Sequence, residues 1–363
     1  MKVGIYSPYL DICGGGEKYV GKIAEVLASE NNVEFLVEQE PNIGELESRL
    51  GLKLAKIDFR AIQVSSPFLL KRNYFFSRLT KSYDLFINQE HFSSVPSKAK
   101  LSFSIQEVPP TRLNFPRYNP VQKILFDPGL KTYDKIVTNS NFTKKWIDEW
   151  YKRSAEVLYP AVDTKQFTPL SKRNYVLSVG RFFVTGHSKK QLEMIKIFKE
   201  LSQNGMRDWE LHLAGSINDN IQDRTYLEKC REEARGHPIY FHVNASLSVL
   251  TELYGKSRIF WCATGFGEDG IPHKMEHFGM STVEAMSAGC VPVVIRRGGQ
   301  PEIVRDNVDG FCWNNVEEFR NLTIKLANDD VLLVEMSASS VERSKDFGMD
   351  VFEKRVRATF LMA

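Results

Sequence analysis

No run in this 363-residue chain approaches the roughly 18–20 uncharged apolar residues that a membrane-spanning helix needs. The opening MKVGIYSPYL has no basic stretch leading into an apolar signal core, so the expectation is a cytoplasmic protein. Cysteine is sparse. Cys13, Cys230, Cys262, Cys290 and Cys312 are odd in number and far apart, mostly within apolar runs such as FWCAT and SAGCVPVV, which excludes a disulfide framework and any zinc spacing. Neither sign of charge dominates: 48 Lys and Arg against 45 Asp and Glu leave +3, too little for a nucleic-acid binder. At 42% hydrophobic and 26% charged residues, the composition also excludes collagen-like, coiled-coil and wholly disordered chains. One local bias stands out. Residues 51–100 hold nine Lys or Arg against three acids (Asp58, Asp84 and Glu90), a net +6.

What is present is a repeated α/β pattern. The length suits two domains at roughly 100–200 residues each. KVGIYSP reads as a strand, followed by a Gly-rich turn and a helix with Val20, Ile23, Ala24 and Leu27 on one face. VEFLVE, DLFINQE, KLSFSIQE and KIVTNS continue as strands, the last entering a helix that Asn139 or Ser140 caps. A Pro-bearing polar stretch, LYPAVDTKQFTPLSKRN, then separates this series from a second one. The second opens with YVLSVGRF, has a helix carrying Leu192, Ile195, Phe198 and Leu201 that stops at Gly205, and goes on through WELHLAG, IYFHVNA, RIFWCAT and VPVVIRR. Right-handed crossovers make such strands parallel, with helices on both faces. Two doubly wound Rossmann-like domains are expected, residues 1–168 and 169–344, with a last helix over about 345–363 returning to the first. A ligand would lie in a central cleft between them, at the carboxyl ends of the strands.

Chemistry is therefore sought in the loops that follow strands. CGGGE, with Gly14–Gly16 ahead of a helix, lets backbone N–H groups approach a phosphate. A dinucleotide fingerprint needs a third glycine where Tyr19 stands, although Glu38 ends strand two as a ribose-binding acid would. In the second domain Arg181 follows a strand, and Lys189 and Lys190 stand at a helix start, where cations oppose the helix dipole unless an anion sits there too. In GFGEDGIPHKMEHFGMSTVEAMSAGCVPVV, Glu276 and Glu284 are separated by seven residues. Ser281 and Glu284 also fit a local capping box, Ser281 being the cap. Capping does not account for Glu276; two carboxylates around a helix start suit a ligand with phosphates for the amides and hydroxyls for the acids.

On these residues the chain resembles the retaining glycosyltransferases of family 4 (glycosyl transferases group 1) of GT-B fold. The Glu276-to-Glu284 motif, EAMSAGCVPVV and GGQPEIVRDNVDGF carry the resemblance, with NSNFTKKWI and YPAVDTKQFTP near the domain junction. It is specific over 174–315 and loose over 40–100. It implies transfer of a hexose from a nucleotide sugar, in polysaccharide or glycolipid biosynthesis, to a saccharide or lipid-linked acceptor held by the first domain. Arg181 and Lys189 would bind the donor diphosphate, Glu276 the transferred sugar and Glu284 the ribose. Phe278, Gly279, Met280 and Ser281 would meet sugar and phosphate at the helix start, and Gly15 and Gly16 would close over the diphosphate. No Asp-x-Asp pair is present, so fixed cations and helix amides are expected to stabilise the leaving group without a metal or other cofactor. Many members have a first-domain His on a strand like KLSFSIQEVPP; here Gln106 and Glu107 stand there, with His91 as a further candidate. His187 and His277 fall in the motif loops.

Two alternatives stay open at this level: a nicotinamide-dependent oxidoreductase, on Gly14–Gly16 and Glu38, and a non-catalytic nucleotide-sugar binder. Residues 68–83 leave a second question open. Leu69, Leu70, Phe75, Phe76 and Leu79 mix there with Lys71, Arg72, Arg78 and Lys81. Such a segment either lies on the anionic inner face of a membrane, as suits a peripheral enzyme, or buries its apolar side in the first domain.

Overall fold

The computed structural model describes residues 1–62, 69–93, 95–110, 128–184 and 187–362. Contacts divide the chain into one unit of Met1–Ala161 with Phe352–Ala363, and a second of Val162–Val351. In the first unit, β1 (Lys2–Tyr6), β2 (Asn32–Val37), β3 (Ile57–Ala61), β4 (Leu85–Asn88), β5 (Leu101–Ile105), β6 (Lys135–Thr138) and β7 (Ala155–Val157) pair in the order 3-2-1-4-5-6-7. In the second, β8 (Arg173–Val179), β9 (Glu210–Gly215), β10 (Ile239–Val243), β11 (Ser257–Cys262), β12 (Val291–Ile295) and β13 (Phe311–Trp313) run 10-9-8-11-12-13. Every paired strand is parallel. This is the doubly wound order, and in each unit it reverses beside the first strand, between β1 and β4 and between β8 and β11.

Central strands covered on both faces favour apolar side chains, and β12 (VPVVI) and β4 (LFIN) are buried at every position, the polar Asn88 of β4 donating to Tyr133 OH at 2.8 Å. The helices that cover the first sheet include α1 (Gly15–Leu27), α2 (Ile43–Leu50), α3 (Leu69–Thr80) and α4 (Asn141–Tyr151). Val20, Ile23, Ala24 and Leu27 of α1 are fully buried, as their spacing predicts. Ser140 caps α4, its Oγ accepting from Thr143 N–H at 3.1 Å. The second unit adds α5 (Gln191–Gln203), α6 (Ile221–Ala234), α7 (Leu247–Lys256), α8 (Met280–Ser287), α9 (Gln300–Ile303), α10 (Val316–Asn328) and α11 (Asp330–Ser344). Trp261 and Trp313 both pack on Phe319 at 4.6 Å between ring centres, anchoring its core.

The last helix, α12 (Met349–Leu361), ends in the first unit, where Phe360 meets Phe103 at 4.7 Å and Arg357 pairs with Glu30 at 2.7 Å. Tyr19, at the third fingerprint position, is a core residue: it is 1% exposed and its hydroxyl donates to Leu158 O at 2.8 Å. Strands β3, β7 and β13 fall outside the periodic segments marked in the sequence. IDFRA has only its first residue buried, and β7 and β13 are three residues each, too short for a period to register.

Candidate active site

In the second unit, the loops after β8 and β11 flank the point where strand order reverses, the usual place for a ligand in an open parallel sheet. The β8 loop opens at Gly180 and Arg181. Glycine is required here by close approach. A Cβ on Gly215, at the end of β9, would stand 2.0 Å from Gly180 O, and one on Gly180 would stand 2.6 Å from Lys189 Cγ. Across that bare backbone Lys189 reaches the β11 loop, its Nζ 2.5 Å from Glu276 Oε2, with the two side chains 16% and 15% exposed. Lys190 turns the other way. It caps α5 in a left-handed conformation (φ 59°) and donates to Glu268 at 2.7 Å, and Glu268 also accepts from Lys274 at 3.1 Å. Each lysine of the pair thus has a carboxylate of the protein beside it, Glu276 for Lys189 and Glu268 for Lys190. Arg181 is half-buried, and its guanidinium has no hydrogen bond or ion pair among the described residues.

Burial disfavours charge on Glu276, but Lys189 and then His187 outweigh it and hold the carboxyl down at about 2. The same environment keeps imidazoles neutral. Burial first, and then the Lys189 charge, lowers His187 to about 3; burial lowers His277 to about 4 against the opposing pull of Glu276. The two rings lie 5.5 Å apart.

The segment Glu276–Met280 is clasped by the turn after β12. Gly299 N–H donates to Glu276 O at 2.8 Å, and a Cβ on Gly298 or Gly299 would come within 2.1 Å of Glu276 O or 2.5 Å of His277 O. Phe278 is buried edge-on against Phe347 at 5.5 Å. The capping box is not formed. The cap of α8 is Gly279, at φ 121°, a conformation that side chains avoid; Met280 is the first helical residue and Ser281 the second. Thr282, not Ser281, ties this helix start down, through Gln300 Oε1 at 2.9 Å. Glu284 points toward α7 and accepts from the buried Tyr254 hydroxyl at 2.9 Å.

In the first unit, Gly14 caps α1 and Gly15 opens it, with Glu17 accepting from Gly14 N–H at 2.7 Å. A Cβ on Gly16 would lie 3.2 Å from Glu107 Oε2. Gln89 joins the two: its Nε2 donates to Gly16 O at 2.9 Å and to Glu107 Oε1 at 3.0 Å, while its Oε1 accepts from Ser7 at 2.6 Å. Burial raises Glu107 to about 7, with Gln89 opposing and Glu17 reinforcing the shift. Gln106 faces the other way, accepting from Phe92 N–H and Tyr151 OH and donating to Ser104. His91 stacks on Tyr9 at 5.8 Å. Glu38 accepts from Tyr6 OH at 2.8 Å.

Sequence reasoning missed Glu268 and Tyr254, whose partners lie 78 and 30 residues away in the chain. It also missed the spatial role of Gly180, Gly215, Gly298 and Gly299. A glycine at the end of a strand or directly after it, as at 215 and 180, was the one available signal.

A family described as glycosyl transferases group 1 matches residues 162–346. The alpha-1,3/1,6-mannosyltransferase ALG2 of Dictyostelium discoideum is 23% identical over 244 residues, covering 59% of this chain and 57% of its own. From the same organism, the GDP-Man:Man(3)GlcNAc(2)-PP-Dol alpha-1,2-mannosyltransferase is 26% identical over 260 residues, covering 66% and 49%. The chain spans about half the length of the curated relatives it matches. In fold it is similar to Anabaena HepE, crystallised with UDP and glucose, at a TM-score of 0.74 and 14% identity over 99% of both chains. It is likewise similar to the sucrose-phosphate synthase of Thermosynechococcus elongatus, at 0.75 and 15% over 99% of this chain and 98% of that one.

Proposed function

The chain belongs to the glycosyl transferases group 1 family, and we propose that it transfers a hexose from a nucleoside-diphosphate sugar to a saccharide or lipid-linked acceptor, with retention at the anomeric carbon. The observation that carries this reading is the pairing of Lys189 with Glu276 ahead of α8, a carboxylate kept ionised by its surroundings, with Arg181 adding a second cation whose charge acts on the neighbouring His187. Sugar transfer develops negative charge on the departing diphosphate and positive charge at the anomeric carbon. Arg181 and Lys189 would stabilise the first in place of a metal, and the ionised Glu276 would face the sugar. The α8 amides at Phe278, Gly279, Met280 and Ser281 would take phosphate oxygens, and Glu284 would hold the ribose. In the first unit, Gly15 and Gly16 are the candidate phosphate contacts and Glu107 the candidate polar group.

GDP-mannose is the proposed donor, because the name of one relative specifies GDP-Man and those of several others specify mannosyl transfer. The same relative's name specifies a lipid-linked acceptor, PP-Dol, which supports that class here. Calorimetry with GDP, UDP, ADP and NAD tests the donor class, and tight binding of NAD alone would overturn it. Transfer from GDP-mannose should survive EDTA and give an α-linked product by NMR. Rescue of a chelated enzyme by magnesium or manganese, or a β-linked product, would refute metal independence or retention respectively.

A further inference from the structure

We propose that the second unit carries a saccharide-binding surface away from the Glu276 loop, built on Tyr240 of the edge strand β10 and the imidazole pair beside it. Side chains alternate along a strand, and Val176, Leu211, Leu213 and Ile239 belong to the core of this unit. Tyr175 of β8, Glu210 and His212 of β9, and Tyr240 and His242 of β10 therefore share the opposite face. The strands hold them in register, Tyr175 beside Glu210 and Tyr240 beside His212. His212 is the centre of the group. Between ring centres, Tyr175 lies 4.1 Å from it and Tyr240 and His242 each 5.2 Å, the last two stacked at 22° and 19°. His212 is 6% exposed and Tyr240 46%, so the stack has a buried base and an open top. Gly215 ends β9 three residues beyond His212, which places the group about 10 Å short of the loops at the carboxyl ends of the strands.

Hydrogen bonds lock these rings. His212 Nε2 lies 3.1 Å from Glu210 Oε2, and a carboxylate only accepts, so this nitrogen carries the proton. A neutral His212 then accepts at Nδ1 from His242 Nε2–H, 3.0 Å away. Burial, and then the His242 ring, hold His212 down at about 4, and burial lowers His242 as well, so both rings are uncharged at neutral pH. Rings fixed in advance lose no rotamer freedom when a ligand arrives. The ligand chemistry follows from the open top. An exposed aromatic face suits the C–H face of a pyranose or the flat face of a nucleobase. The Glu210 side chain, 36% exposed, adds a carboxylate that accepts from hydroxyls and repels phosphate. Together they favour a neutral sugar over a nucleotide.

The test is saturation-transfer NMR on the full chain, with mannotriose, maltotriose and cellotriose at millimolar concentration and guanosine as the flat alternative. At least one trisaccharide should bind, and Tyr240→Ala should weaken it by about fivefold or more. Tyr240→Phe keeps the ring and should keep most of the affinity. Lys189→Ala, which alters only the Glu276 loop, should bind the trisaccharide as the wild type does. If Tyr240→Ala does not fold, Tyr240→Thr keeps a strand former at the edge and must show the same loss. No binding of any trisaccharide, unchanged binding in a folded Tyr240→Ala or Tyr240→Thr variant, or binding of guanosine alone overturns the inference. Loss of trisaccharide binding in Lys189→Ala would place the sugar at the donor site and overturn it equally.

Discussion

Lys189 and Lys190 are adjacent in sequence, yet one reaches Glu276 and the other Glu268, so substitutions at the two positions should have separable effects. A cation that acts on charge developing in the transition state affects turnover more than ground-state binding. Lys189→Ala and Arg181→Ala should each lower kcat by on the order of 100-fold, while Lys190→Ala, which removes a tie between loops, should cost far less. Steady-state kinetics would decide this, and a kcat lost only at Lys190 would move the proposed clamp by one residue. Glu284→Ala should chiefly weaken nucleotide binding. It also strands the buried Tyr254 hydroxyl, a loss worth about 1–3 kcal/mol, so Tyr254→Phe is the control that separates stability from binding.

Glu107 makes a prediction about pH. Its pKa rises from 4.5 to about 7 on folding, so the folded chain holds a proton that the unfolded chain releases. The associated stability is fully present below pH 4.5 and is lost as pH rises through about 7, a change on the order of 3 kcal/mol. In urea titrations across that window, Glu107→Gln should flatten this part of the slope; an unchanged slope would mean that Glu107 is not the group responsible.

At the scale of elements, two serines that look alike in sequence part company. Ser140 caps α4, and Ser140→Ala should cost about 0.5–2 kcal/mol. Ser281 is a helical residue behind the Gly279 cap, and Ser281→Ala should change stability by less than about 0.5 kcal/mol. Equal losses in thermal unfolding would restore the capping box. Around the same helix, Gly279→Ala combines an unfavourable φ with a Cβ 2.5 Å from Gln300 Nε2. It should therefore destabilise the chain by about 1–3 kcal/mol.

For the molecule as a whole, α3 buries one side of its segment in the first unit and leaves the other exposed. Phe76 is fully buried, Leu79 packs beside it, and Arg72 is paired with Glu90, so this side belongs to the core of the first unit. Lys71, Tyr74, Phe75, Arg78 and Lys81 are exposed, with Arg78 over the Tyr74 ring. Phe68 lies outside the described residues, as do the side chains of Leu69 and Leu70. No helix among the described residues is long and apolar enough to cross a membrane. An exposed face with three cations and two aromatics suits an anionic surface. Co-sedimentation with phosphatidylserine vesicles should be strong at low salt, weak at high salt and reduced by Tyr74→Ala with Arg78→Ala; absence of binding at low salt would refute it.

The amino-acid order by itself determined the two α/β series, the faces of α1 and α5, a cap at Asn139 or Ser140 and the Glu276-to-Glu284 motif, because strand and helix periods and caps are set by residues within a few positions of one another. Glu107 and Gln106 show where that reach ends. Adjacent at the end of β5, one lies against Gly16 and the other hydrogen-bonds Tyr151, 45 residues on. Only the tertiary structure decided which of each neighbouring pair meets the candidate site. Lys189 meets Glu276 across 87 residues, and the bare backbone of Gly180 and Gly215 that lets it do so arises from two strands packed side by side. The Gly279 cap was likewise decided at a distance, since the turn at Gly298–Gln300 closes on the helix start and leaves no space there for a side chain.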